Sequence, residues 1–241
     1  MMIILREKLY GHYCMDISAL FCSFRLAVCV TVVLLLICPF AAYFLTFSRF
    51  RGKIFLESVV ALPLALPPTV LGFYFLVLFG RESSIGGFLN DTVGISILFS
   101  FQGLVLGSVV YSFPFMVRPL QTGFEAIAKE YYEIAYLSGA SQLQIFWHVL
   151  LPLSWKHLLT GCLLSFAHTL GEFGLVMMIG GNIPNQTRTA ALALYDAVQL
   201  ADYQSAHILS AVLLIVCFAL NLVIVLLQRR IFPSTTLTTS Q

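Results

Sequence analysis

Five apolar stretches, each long enough to cross a lipid bilayer, dominate this sequence of 241 residues. A helix of about 20 apolar residues spans the hydrocarbon core of a bilayer. The sequence therefore predicts an all-α polytopic membrane protein with about five transmembrane helices. The predicted spans run approximately over residues 26–47, 58–79, 95–117, 158–179 and 207–227.

The composition supports this class and excludes others. Hydrophobic residues make up 59% of the chain and charged residues 10%, with a mean hydropathy of +0.93, which is outside the range of soluble globular domains. Several spans and their loops leave no room for a sizeable soluble domain. The net charge of +2, without a basic run, gives no indication of nucleic-acid binding.

The cysteines show no C-x-x-C motif and no Cys/His ligand spacing, so they predict packing residues and no metal site. They are Cys14, Cys22, Cys29, Cys38, Cys162 and Cys217.

A polar segment at residues 133–152 interrupts the apolar pattern and has the form of two short helices joined by a tight turn. Gly139 supplies the left-handed residue that ends a helix without a Cβ penalty. Ser141, with Gln144 three residues later, predicts a capping box that starts the second helix. Pro152 is expected to stop that helix. One face of the second helix is apolar, with Leu143, Phe146, Trp147 and Leu150.

This segment resembles the cytoplasmic coupling loop in permease subunits of ATP-binding-cassette importers, here at about residues 125–152. The family pattern is Glu-x-Ala-x3-Gly-x9-[Ile/Val]-x-Leu-Pro, and Ile134 stands where alanine is usual. The competing interpretation is an amphipathic hairpin of another kind of membrane protein. The residues expected to couple to an ATPase are Glu133, Ala135, Gly139, Ser141, Val149, Leu151 and Pro152.

The distribution of basic residues predicts the orientation. The first and third loops and the C-terminal end hold eight lysines and arginines, among them Arg49 and Arg118, whereas the opposite side holds four. The positive-inside rule then places the coupling loop and the C-terminus in the cytoplasm and the N-terminus outside. The predicted organisation is an extracytoplasmic segment with an interfacial turn at 1–25, a transmembrane domain at 26–230 and a short cytoplasmic tail at 231–241.

Prolines make two of the spans irregular. The second begins LPLALPPTVLG, and the third ends YSFPFMVRPL with Pro114 and Pro119. Prolines remove backbone donors, and a broken helix is tolerated at membrane depth only where protein or water satisfies the freed carbonyls. These elements are interpreted either as pathway-lining or hinge elements or as plain packing kinks.

Three further stretches resemble the oxyanion branch of these permeases, at residues 62–80, 169–174 and 180–199. The GEFG sequence at 171–174 is shared with sulfate permeases, whereas the NIP…TRTA…ALYDAV segment resembles molybdate permeases. The resemblance implies import of molybdate or tungstate, with sulfate or another oxyanion as the alternative. The candidates for the translocation path or gate are Pro67, Pro68, Thr69, Thr169, Gly171, Glu172 and Gly174.

The resemblance also implies the partners. These are a second copy of the chain, two ATPase subunits and an extracytoplasmic molybdate-binding protein. No cofactor is expected in this chain, since it has no phosphate-binding G-x-x-x-x-G-K-[ST] motif and the ATPase would bind ATP and Mg²⁺.

Two other classes of function compete with this interpretation. A membrane-embedded enzyme could use His168 and Glu172, but the sequence has no H-E-x-x-H or G-x-S-x-G motif, so no catalytic residue is assigned. The spacing of these two residues favours a hydrogen bond, and Glu172 is expected to have a structural role, bonded to backbone or hydroxyl donors. A channel or secondary transporter would not need a capped cytoplasmic hairpin.

Overall fold

The computed structural model describes residues 17–94, 96–127, 131, 134–135 and 137–231. All regular structure in these ranges is helical, which confirms the predicted class. Two π-helical turns lie at Leu89–Val93 and Phe146–Leu150. The helices are α1 Ile17–Phe47, α2 Lys53–Ala65, α3 Pro68–Phe79, α4 Ser84–Phe88, α5 Phe101–Ala126, α6 Gln142–Ile145, α7 Leu151–Leu153, α8 Trp155–Leu170, α9 Gly174–Gly180, α10 Ala190–Gln199 and α11 Tyr203–Ile231.

Three helices are individually long and apolar enough to cross a membrane, namely α1, α5 and α11 up to Leu226. Two bent pairs bring the number of possible spans to five. The α2–α3 pair bends by 110°, and the pair formed by residues 142–153 and α8 bends by 72°. The break between α2 and α3 falls at the predicted proline run, where Pro67 precedes α3 and Pro68 begins it.

The ends of the first and third spans differ from the prediction. Residues 17–25 continue α1 as a helix of 31 residues instead of forming an interfacial turn, because no proline or glycine interrupts them. The third span begins later, at Phe101, because Ser100 caps it by accepting a hydrogen bond from the Gly103 N–H. It then runs to Ala126 through both Pro114 and Pro119.

The predicted fourth span, residues 158–179, is not one helix. Helix α8 ends at Leu170, with Gly171 as its C-cap, and α9 begins only at Gly174. Glycine has a low helix propensity, and two glycines flank the polar Glu172 here. The chain therefore breaks at a point that its hydropathy alone does not reveal.

Helix α1 packs against α5 and α8. Its buried residues recur every fourth position, at Leu26, Val30, Leu34 and Cys38. This helical spacing places one face of α1 in the core. The cysteines of the described residues are free thiols, while Cys14 lies outside the described residues.

The break between α2 and α3 and the break between α8 and α9, here called the two broken regions, lie next to each other. Helix α3 packs against α9, and small residues make the contact close. A Cβ added at Gly72 would lie 2.7 Å from Met178 Cβ, and one added at Gly174 would lie 3.1 Å from Pro68 Cβ. Glycine at such contacts lets membrane helices approach closely. The breaks before α3 and before α9 consequently lie side by side.

Candidate functional site

The turn of the predicted coupling loop is confirmed in its local geometry. Gly139 has φ +80°, the left-handed conformation expected at a helix stop. The Ser141 N–H donates to Gln144 Oε1 at 2.8 Å, and the Gln144 N–H donates to Ser141 Oγ at 3.3 Å. Both halves of the capping box are therefore present. Glu133 lies outside the described residues.

Phe146 anchors this hairpin, here defined as residues 134–153 where described, to the bundle. Its side chain is 2% exposed, stacks on Phe40 at a centroid distance of 5.1 Å, and meets Tyr43 edge-on at 5.5 Å. Phe124, near the end of α5, lies 6.3 Å from the same ring. The hairpin is thus held at the end of the bundle where α1 and α5 terminate.

The apolar face predicted for the second helix is divided between core and surface. Phe146 and Leu150 are buried, whereas Leu143 and Trp147 are exposed. Ile134 and Leu137 of the first half are exposed as well, Leu137 to 84%. These four exposed residues form an apolar surface on the hairpin, beside the partly buried Ala135 and Val149.

Pro152 does not stop the helix, contrary to the prediction. The chain stays helical through Leu153 and turns only at Ser154. The preceding π-turn explains this, since the Leu151 N–H bonds to the Phe146 carbonyl, five residues back. A wider turn of this kind changes the backbone spacing just before the proline ring.

A cavity of about 430 Å³ lies where the two broken regions meet. It brings together five of the path candidates, while Pro67 and Thr169 do not line it. Thr169 lies behind the wall, 2% exposed, with its Oγ1 3.0 Å from Ser112 Oγ. The lining residues are Pro68, Thr69, Tyr111, His168, Gly171, Glu172, Phe173, Gly174, Met177 and Met178.

Glu172 is 5% exposed, and neither carboxyl oxygen has a hydrogen-bond partner among the described residues. The Ser108 side chain is near enough to interact with the carboxyl group, but it does not reach full hydrogen-bond geometry. This differs from the expectation that Glu172 is tied to backbone or hydroxyl donors.

His168 does not bond to Glu172 either, because α8 ends between them and the helical spacing of four residues no longer applies. Its Nδ1 lies 2.9 Å from Ser112 Oγ. Its ring stacks on Phe115 at 4.0 Å and lies 4.7 Å from the Tyr111 ring. Among the described residues, no cluster of three or more metal-ligating side chains occurs.

Sequence reasoning missed Tyr111, Phe173, Met177 and Met178 as wall residues and considered His168 only as part of an enzyme. The sequence contained only part of the information needed to find this cavity. The proline run and the GEFG sequence marked both breaks, but nothing in the sequence indicated that α5 lines the same cavity.

A bundle of helices with two broken spans around a cavity, and a capped hairpin at one end, defines a polytopic membrane transport subunit. Residues 35–236 match the family described as the binding-protein-dependent transport system inner membrane component, and the chain belongs to this family. This membership confirms the resemblance, a multi-pass membrane protein and a role as a transport subunit instead of an enzyme.

Relatives and solved structures agree with this assignment. The molybdenum transport system permease protein ModB of Azotobacter vinelandii is 45% identical over 204 residues, which are 84% of this chain and 90% of the relative. A probable sulfate transport system permease protein of Chlorella vulgaris is 38% identical over 180 residues, 74% of this chain and 67% of the relative.

Among solved structures, a bacterial importer of the polysaccharide alginate has a TM-score of 0.75 at 14% identity, covering 94% of this chain and 83% of that chain. This similarity confirms the fold of an ATP-binding-cassette importer permease. The roles of individual site residues stay predictions.

Proposed function

We propose that this chain is the permease subunit of an importer for molybdate or tungstate, working as a homodimer with two ATPase subunits and an extracytoplasmic binding protein. The observation that supports this substrate is the 45% identity to a molybdenum permease across most of both chains. Molybdate and tungstate are nearly alike in size, charge and geometry, so both are expected as substrates.

The exposed apolar surface of the hairpin is the proposed contact with the ATPase. Large apolar side chains that are exposed together on one segment indicate an interaction site. Phe146 ties this surface to α1 and α5, so a movement of the hairpin would be passed directly to two spans. ATP and Mg²⁺ would bind to the ATPase, because this sequence has no phosphate-binding loop.

The cavity between the broken regions is the proposed position of the path. In the membrane, irregular backbone is tolerated where it lines a water-filled cavity or is buried in protein. Among the described residues that line the cavity there is no arginine or lysine, so the cavity is suited to passing an anion without retaining it. Selectivity would then lie mainly in the binding protein.

The N-terminus is proposed to lie outside the cell and the C-terminus in the cytoplasm. The hairpin contacts Phe40 and Tyr43 near the end of α1, beside the basic residues Arg49 and Arg51. At the opposite end, Ser23 near the start of α1 accepts a hydrogen bond from the Ala190 N–H at 2.8 Å. The loop before α10 therefore lies on the outer side in this orientation.

Cysteine labelling of intact cells tests the orientation. In a background without the native cysteines, an impermeant thiol reagent is expected to label Ser84→Cys and to leave Gln142→Cys protected. Permeabilised cells serve as the control, because both positions should then react. Labelling of Gln142→Cys from outside, with Ser84→Cys protected, would reverse the orientation and remove the coupling role of the hairpin.

Uptake by the reconstituted complex tests the substrate. Vesicles with the cognate ATPase and binding protein are expected to accumulate labelled molybdate, and unlabelled tungstate should compete fully. Sulfate in about tenfold excess is expected to leave most of the molybdate uptake in place, because a molybdate importer binds sulfate more weakly than molybdate. Equal competition by sulfate and tungstate would show a general oxyanion importer.

A further inference from the structure

The start of helix α3 opens onto the cavity, since Pro68 and Thr69 both line it. Within the part of the chain that the structure describes, no side chain caps this helix of 12 residues. The N-terminal end of a helix carries a partial positive charge, which favours an anion. Few N–H groups add to it here, because Pro68 has none and the Val70 N–H donates to the Pro67 carbonyl at 3.0 Å. By itself this helix start does not define a binding site, because many helices begin without binding an anion.

Glu172 provides the second, independent observation. It lines the same cavity, is 5% exposed, and has both carboxyl oxygens without a hydrogen-bond partner among the described residues. A buried polar group without a partner requires an explanation, such as a ligand that completes it. A carboxylate buried without a cation is very costly, so the neutral acid is the form that suits this position. The neutral acid carries an O–H donor.

His168 can also present a donor to the cavity without carrying a charge. Its Nδ1 is bonded to Ser112 Oγ at 2.9 Å, and Ser112 Oγ lies 3.0 Å from Thr169 Oγ1. When Thr169 donates to Ser112 and Ser112 donates to Nδ1, the ring proton is on Nε2. An anion in the cavity favours this direction of the chain, because only then is Nε2 of the neutral ring a donor.

The stacking of the His168 ring on Phe115 at 4.0 Å fixes its orientation. Tyr111, whose ring is 4.7 Å from that of His168, adds a phenol hydroxyl to the same wall. Thr69 adds another hydroxyl from the start of α3. Hydroxyl, imidazole and acid donors from α3, α5, α8 and the break at 171–173 thus converge on one space.

We propose that this cavity is a transient binding site for a tetrahedral oxyanion, held by the uncharged donors of Thr69, Tyr111, His168 and the protonated Glu172. The identity of the anion rests on the proposed function. A volume of about 430 Å³ has room for roughly a dozen water molecules, so the anion keeps part of its hydration shell. Weak binding of this kind allows release, which a transport path requires.

The test is equilibrium binding of labelled molybdate, at millimolar concentration, to the purified complex of permease and ATPase without the binding protein. His168→Phe keeps an aromatic ring against Phe115 and removes the donor, and it is expected to weaken binding about tenfold, as for one lost hydrogen bond to a charged acceptor. His168→Gln keeps an N–H donor and should restore most of the affinity. Tyr195→Phe is the matched control, because Tyr195 lies across the Phe173 ring, at 5.1 Å, and does not line the cavity.

Two substitutions of Glu172 test its role as a neutral donor. Glu172→Gln keeps a neutral donor and is expected to bind molybdate within a few-fold of the unchanged protein, whereas Glu172→Leu should weaken binding about tenfold. Tighter binding by Glu172→Gln would show that the carboxyl group is ionised and repels the anion, which would overturn its role as a donor. Gel filtration of each variant with the ATPase checks that the complex is assembled.

The outcomes separate this proposal from the proposed substrate. If the complex binds sulfate in place of molybdate and His168→Phe weakens that binding, the site stands and the molybdate assignment fails. If molybdate is imported but binds equally well to the complexes with His168→Phe and His168→Gln, the site is overturned and the transport function stands. Absence of any oxyanion binding to the complex also overturns the site.

Discussion

Gly139→Val is expected to reduce coupled uptake by about tenfold or more while the chain remains in the membrane. The residue has φ +80°, and no atom of the described residues lies within 4 Å of a Cβ built there, so the effect is expected to come from the backbone. An L-residue in this conformation costs about 1–2 kcal/mol, and a β-branched one is a genuine outlier. The turn would change and the exposed surface of the hairpin would point elsewhere. Uptake by reconstituted vesicles, with co-purification of the ATPase, measures the result.

Gly139→Asn is the matched control for this substitution. Asparagine has a larger side chain than glycine but tolerates the left-handed region, so most of the uptake should remain. If the valine variant binds its ATPase and transports normally, the turn does not couple the two subunits. If both variants fail equally, the surface at this position matters and its backbone conformation does not.

The local features of the hairpin could be predicted because they depend on neighbouring residues alone. A left-handed glycine and a serine three residues before a glutamine determine a turn and a cap through backbone geometry. The inward face could not be predicted in this way. Phe146 is buried because Phe40 and Phe124 meet it from distant parts of the chain, while Trp147, one residue later, is 48% exposed.

The cavity illustrates the same limit at the level of the fold. The sequence marked the proline run and the Gly-Glu-Phe-Gly region as candidates for the path. From hydropathy, however, the fourth span was predicted to continue as one helix through residue 171. Two glycines within four residues weaken a helix locally, and an average over 20 residues hides them. The participation of Tyr111 depends on which helices pack together, and that information resides in tertiary contacts.

Gly72→Ala is expected to lower molybdate uptake about tenfold or more, because it separates the two helices that shape the cavity. The added Cβ would lie 2.7 Å from Met178 Cβ and 3.0 Å from Met178 Cγ, so α3 and α9 must move apart. Overpacking of a close contact costs typically about 1–3 kcal/mol. The Cβ of Met178 belongs to the root of its side chain, so a change of rotamer cannot relieve the contact. The measurement is uptake together with the amount of assembled complex.

A compensating substitution makes this prediction specific. Met178→Gly removes the atoms that the new methyl group meets, and the double variant should recover uptake relative to Gly72→Ala, a coupling that two independent sites would not show. Gly52→Ala adds the same methyl group where the nearest atom, 3.3 Å away, is the ring edge of the exposed Phe50, so little change is expected there. Recovery in the double variant would show that the close approach of α3 and α9 is what transport requires. Normal uptake by Gly72→Ala alone would show that the two helices are free to separate without consequence, and the cavity between them would then have no part in the path.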